Sequence, residues 1–378
     1  MDAKQPPSAK HTLLAIGTFL GTIIGVGIFS LPSLAGAMGL FPFVILLVLL
    51  ALFVLVIHLR LADVVLGTQG EHRIPGYVGV HLGARWKRLC LGISSFGLVG
   101  ALLAYLVAGG VFLQLALRSL GDVPIGVTSL VFFLLASALI VRGTKGVSWV
   151  DLLLVVTFFL LITLFFFISF PKIDMAIYHE LHWSRLATGY GVLLFALWGL
   201  SIIPETVELA RRDRSRSRRV LTVGLCAATL LYFFFVVMVL GVAGHATTPD
   251  ALTGFLTHFS PWVVAIGGLL GAIPTFTSFT TLGMTLKKTL QYDFHFRPSV
   301  ALLLTIIAPP FLFILGFRNL LDILGLTGAL LLGCEGAFVL VIADRVRQPA
   351  SRQLRPSTAI LLALLVLGVG CELWTFFQ

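Results

Sequence analysis

Eleven stretches of this chain are apolar over about 20 residues, the length a helix needs to cross the hydrocarbon core of a bilayer. They fall at about 12–37, 42–66, 89–117, 124–141, 149–170, 187–209, 220–243, 259–286, 298–316, 320–343 and 357–376. A water-soluble globule of 378 residues would have to cover this material with polar surface that the sequence lacks: 58% is hydrophobic and 11% charged, against roughly 25% charged in an ordinary soluble domain. A soluble enzyme, a disulfide scaffold and a disordered chain are therefore excluded. The runs are continuous, without the alternation of barrel strands. The fold class expected is an all-α polytopic membrane protein with eleven transmembrane helices.

The net charge is +10, yet no interleaving of basic and aromatic residues accompanies it, so no nucleic-acid partner is expected. Basic residues collect in cytoplasmic loops, and here they orient the spans. With the N-terminus inside, only Arg118, Lys172, Arg185 and Arg318 of the 26 Lys and Arg fall outside. The run Arg211, Arg212, Arg214, Arg216, Arg218 and Arg219 then faces anionic membrane lipid. This predicts a multi-pass protein of the cell membrane, with a cytoplasmic N-terminus and an extracellular or periplasmic C-terminus. The start shows no cleavable signal peptide. Cys90, Cys226, Cys334 and Cys371 lack metal-type spacing and read as small buried hydrophobes.

Two of the apolar runs are interrupted. The first holds Gly21-Thr22-Ile23-Ile24-Gly25-Val26-Gly27 and then Pro32, a poor continuous helix. Five runs later, Gly199 and Pro204 break Phe195–Glu205. Interrupted spans at matching positions of two halves are characteristic of transporter folds. Residues 12–170 and 187–343 are nearly equal in length. Each holds five runs, and an odd number inverts the second half in the membrane. The division expected is a cytoplasmic tail over 1–11, a first repeat over 12–170, an outer loop over 171–186, a second repeat over 187–343, an inner loop over 344–356 and a last span over 357–378. Backbone freed at a break must line a cavity or be buried in protein. Its N–H groups suit a carboxylate, and its carbonyls suit an ammonium or a cation.

The string GTIIGVGIFSLP (21–32) resembles the first-span signature of the amino acid–polyamine–organocation superfamily. TKGVSWVDLLL (144–154), TSFTTLGMTL (277–286) and LLTIIAPPFLFILGF (303–317) resemble the branch holding the bacterial tryptophan/tyrosine permeases and the amino acid/auxin permeases. The resemblance implies a five-plus-five inverted repeat with discontinuous first and sixth helices. It implies an ion-coupled secondary transporter of an amino acid, neutral or aromatic, working by alternating access. Thr22 and the backbone of Ile24, Gly25, Val26 and Gly27 would meet the substrate carboxylate. Phe195, Trp198, Gly199 and Ser201 would meet its ammonium group and side chain, and Tyr105 would stand nearby unless it is simple packing. A divalent-cation importer on the same scaffold would need an Asp and an Asn in the first break and a Met in the second, and none is present.

Ionisable residues within spans are functional candidates, because a charge there is costly. Glu335 and Glu205 are the candidates for carrying a coupled proton. Arg60 and Asp63 have the i, i+3 spacing of a helical pair. The alternative coupling ion is sodium, held by carbonyls at Gly21 and Ile24 and hydroxyls of Thr277, Ser278 and Thr281, unless those hydroxyls bond their own helix. No cofactor is expected, and the sequence has no phosphate-binding GxxxxGK[ST] loop, so the chain reads as neither an enzyme nor an ATP-driven pump. An ion-independent amino acid or amine exchanger stays open, and oligomeric state is not readable. Short segments at 72–88 and 244–258 are expected to cap the inner and outer vestibules.

Overall fold

The computed structural model describes residues 9–70, 72–142, 148–348 and 354–377. The start of the N-terminal tail, the TKGV stretch and part of the 344–356 loop lie outside these. Sixteen α-helices follow in order: α1 Ala9–Ile23, α2 Gly27–Met38, α3 Leu40–Gly67, α4 Ile74–Leu82, α5 Ala84–Leu117, α6 Ile125–Arg142, α7 Ser148–Ser169, α8 Tyr190–Leu197, α9 Ile203–Leu209, α10 Arg214–Ala243, α11 Leu252–Leu256, α12 Pro261–Tyr292, α13 Pro298–Ile314, α14 Leu320–Leu326, α15 Gly333–Arg347 and α16 Pro356–Phe376. No strand occurs among the described residues. Among the described residues eight helical stretches are long and apolar enough to cross a membrane, and the pair α1–α2, bent by 57°, makes a ninth. Val156–Lys172 and Pro298–Ile314 are apolar but shorter.

The two expected breaks are present. Gly25 N–H bonds back to the Ile23 carbonyl at 2.9 Å, closing α1, and α2 starts two residues later. In the second, α8 ends at Leu197, a 3₁₀ turn spans Leu200–Ile202, and α9 begins with Pro204 in its first turn. Proline fits there because a first-turn N–H has no intrahelical acceptor. Short helices stand at both predicted cap segments, α4 and α11.

One end of the molecule is basic. The expected Arg60–Asp63 pair does not form. Arg60 reaches Asp344 at 3.0 Å with the Thr358 hydroxyl at 2.6 Å, while Asp63 pairs with Arg214 at 3.2 Å and with Arg347 and Arg218. Helices brought together by the fold offer these buried carboxylates better partners than the helix they sit on. Asp213 caps α10 there, accepting from the Arg216 N–H at 2.7 Å, and this bond with that of the Ser215 hydroxyl lowers its pKa. Of the cysteines only Cys90 is buried; Cys226, Cys334 and Cys371 are exposed on a protein surface that the apolar helices turn outwards.

Candidate functional site

The two breaks lie against each other. A Cβ on Gly27 would come within 2.7 Å of the Ala196 Cα, and one on Gly199 within 2.8 Å of Ile23 Cγ1. At Gly27 backbone meets backbone with no room for a side chain, and at Gly199 the Ile23 side chain would have to shift to admit one. A single hydroxyl joins the severed ends: Tyr232 on α10, fully buried, lies 2.8 Å from both the Ile23 and the Ala196 carbonyls. The Ile23 carbonyl also accepts from the Gly25 N–H, so the single Tyr232 proton is free for the Ala196 carbonyl, which left buried and unpaired would cost roughly 1–3 kcal/mol.

A cavity opens beside this crossing, lined by Thr22, Ile23, Gly25 and Gly27 of the first break and Phe195, Ala196, Trp198 and Ser201 of the second. Two long helices supply its walls. Ser94, Gly97, Leu98, Ala101 and Tyr105 recur at three- and four-residue spacing along one face of α5, as Leu282, Thr285 and Thr289 do along α12. Leu332 and Glu335 close the side, and Arg73, Ile74 and Pro75 at the start of α4 bound the cavity towards the basic end. In the opposite direction Phe29, on α2, packs on Phe112, Phe158 and Phe235 with ring centroids 4.5, 6.3 and 5.7 Å away. Phe112 lies two helical turns beyond Tyr105, about 10 Å along α5. Beyond this plug the Ser30 hydroxyl donates to the Pro249 carbonyl at 3.0 Å.

The polar groups of the cavity concentrate at Glu335. One carboxyl oxygen accepts from the Ser94 hydroxyl at 2.7 Å and the other from the Trp198 indole N–H at 3.2 Å. Glu335 is therefore tied to the second break itself. From the opposite side His58 of α3, with no exposed surface, accepts from the Gly199 N–H at 3.4 Å, while the Phe19 ring meets its edge. Residues 198 and 199, which have left the helix, are held by two side chains from two other helices.

The candidates named from sequence distribute unevenly. Thr22, Gly25, Gly27, Tyr105, Phe195, Trp198, Ser201 and Glu335 share the cavity. The Tyr105 hydroxyl meets Ser278 and the Val26 backbone, and it stands where a Cβ on Gly25 would be. Ile24 and Val26 are buried behind the cavity wall, Gly199 packs on Ile23, and Gly21 is half-buried. Glu205 is exposed in the first turn of α9, outside the lining. Of the named sodium set, Ser278 meets Tyr105 beside the first break, Thr277 donates to the Pro274 carbonyl of its own helix at 3.0 Å, and Thr281 is exposed. Ser94, His58 and Tyr232 carry much of the site's polar chemistry. No local pattern marks Ser94 or Tyr232, since a lone Ser or Tyr in an apolar run is ordinary, whereas His58 stands out in sequence as one of the few ionisable residues within a span.

The family whose model the sequence matches marks the protein as a permease, a transporter rather than an enzyme. The chain belongs to the tryptophan/tyrosine permease family, whose model matches residues 9–375. No curated protein matches it. Among solved structures, the manganese transporter of Eremococcus coleocola in complex with an aromatic bis-isothiourea substituted compound is similar in fold. That likeness has a TM-score of 0.69 and 15% identity, covering 100% of this chain and 90% of that one.

Proposed function

We propose that the protein is a secondary active importer of an aromatic amino acid, cycling by alternating access around the cavity between the two breaks. The observation that carries this reading is the crossing of the breaks at Gly27–Ala196 and Gly199–Ile23, in a chain of the tryptophan/tyrosine permease family. The first N–H groups of α2 have no intrahelical acceptors, and the positive end of its dipole suits the substrate carboxylate. The end of α8 at Phe195–Leu197 offers the opposite polarity to the ammonium group. Leu98, Ala101, Phe195, Leu282 and Leu332 give an aromatic side chain an apolar wall, in keeping with the general make-up of ligand pockets. The finer architecture belongs to the same proposal: eleven spans, with α7 and α13 counted among them, in two inverted five-span repeats. The basic end faces the cytoplasm, because the positive-inside bias favours it.

Glu335 is the proposed site of the coupled proton. A serine hydroxyl can both donate and accept, so Ser94 can pair with the carboxylate and, after rotating, with the protonated acid. Protonation also alters the acceptor of the Trp198 indole, a residue of the second break itself. Sodium at α12 is less favoured, because Thr277 is turned to its own helix and Thr281 is exposed.

The test is uptake of labelled tryptophan and tyrosine into proteoliposomes under a pH gradient and, separately, a sodium gradient. Accumulation under the pH gradient, lost in Glu335→Gln, is expected. Accumulation requiring sodium would overturn the proton assignment, and counterflow independent of both ions would replace coupled import by exchange.

A further inference from the structure

The transport reading leaves a second buried carboxylate unused. Glu372 lies near the far end of α16, opposite the basic end. It closes the one buried stripe of that helix, Thr358, Leu365, Gly368 and Glu372, and is 7% exposed. One oxygen accepts from the Gly191 N–H at 3.0 Å, and the other is turned against the Cα of Gly325 on α14. Gly191 is the second residue of α8, so its N–H has no partner within its own helix. The local sequence supplies no side-chain cap. Glu372 provides that cap from another helix.

The surroundings are packed backbone to backbone. A Cβ on Gly191 would strike the Gly325 carbonyl, and one on Gly328 would strike the Gly191 carbonyl. Gly328 belongs to a π-helical stretch, Thr327–Leu332, a rare conformation that is frequent at functional sites. The Tyr190 ring fills the space over Gly368, and its hydroxyl is buried without a hydrogen-bond partner. The titratable groups facing Glu372 are Tyr190 on α8, Asp322 on α14 and Cys371 beside it on α16. The π-helical stretch bears none, Cys334 at the start of α15 is exposed, and the exposed Arg185 of the preceding 3₁₀ segment makes no ion pair with it. Among the described residues no cation pairs with this buried carboxylate.

We propose that Glu372 is a second proton-binding site, separate from Glu335, whose ionised form latches the far half of the second broken helix to α16. A carboxylate accepts an N–H through a charge-assisted bond, roughly twice as strong as the neutral bond left after protonation. Taking up a proton also removes the repulsion between Glu372 and Asp322. The weaker bond loosens α8, which runs from Gly191 directly to Trp198 and the break, while the relief of repulsion favours proton uptake. The assignment depends neither on the solute carried nor on Glu335.

Hydrogen exchange of the purified full-length protein, followed over residues 190–197 and corrected for intrinsic rates, tests it without substrate. Wild-type protection should fall about fivefold between pH 8 and pH 5, the size expected when one charge-assisted bond becomes neutral. Glu372→Gln keeps an acceptor for Gly191 but cannot titrate, so its protection should not change with pH. Glu335→Gln should keep the wild-type change. Wild-type protection that is flat with pH would overturn the proposal whatever the variants do. A Glu372→Gln protein with the wild-type pH dependence would overturn it as well.

Discussion

The first break, between α1 and α2, and the second, between α8 and α9, do the same job with different materials. The first is written into the backbone. Glycines at 21, 25 and 27 weaken the helix locally, and Gly25 leaves the space that the Tyr105 hydroxyl takes. The second has one glycine and is held from outside, by Glu335 on Trp198 and His58 on Gly199. A break made by glycine is stable wherever the chain puts it. A break held by side chains responds to whatever changes those side chains, protonation included. The ionisable groups of the site gather at the second break, which makes it the one suited to switching.

Substitutions can break or sharpen this contrast. The largest effect is expected from Gly27→Leu, since its side chain has no space beside Ala196. Uptake should vanish while size-exclusion chromatography still gives a folded protein, and retained uptake would mean the helices do not cross as described. Glu335→Gln should come next, abolishing accumulation driven by a pH gradient while leaving counterflow, so the two assays on one preparation separate coupling from binding. His58→Ala leaves the Gly199 N–H unpaired and should cost about 1–3 kcal/mol, read as a lowered Tm in detergent. If the first break is local in origin, Tyr232→Phe should cost a similar or smaller amount, of order 1 kcal/mol. The smallest effect is expected from Asp213→Asn at the basic end, far from both breaks. The folded-state pKa of Asp213 is lowered, so its contribution to stability is present above the unfolded carboxyl pKa and is lost as pH falls through the folded one. Asn should flatten the acid side of the Tm–pH curve and leave uptake unchanged.

Legibility in the sequence follows the range of the interaction. The helix positions are read from apolar runs because each run meets the bilayer constraint by itself. Gly25, Gly27 and Gly199 are legible because glycine acts where it stands. Ser94 is not, since only the packing of α5 against α15 sets it 2.7 Å from Glu335. Nor is Glu372, one turn from the end of the last apolar run, where a carboxylate ordinarily reaches out to water. Arg60 and Asp63 show the converse: their spacing predicts a pair, and the fold gives each a better partner on another helix.

The sequence by itself determined the solvent, the helices and the positions of the two breaks. Those follow from hydropathy and backbone freedom, which are properties of contiguous residues. The tertiary structure decided which polar groups face one another: Glu335 with Ser94 and Trp198, His58 with Gly199, Tyr232 with both severed carbonyls, and Glu372 with Gly191. A hydrogen bond acts over about 3 Å, and only the packing of helices far apart in the chain brings such groups that close.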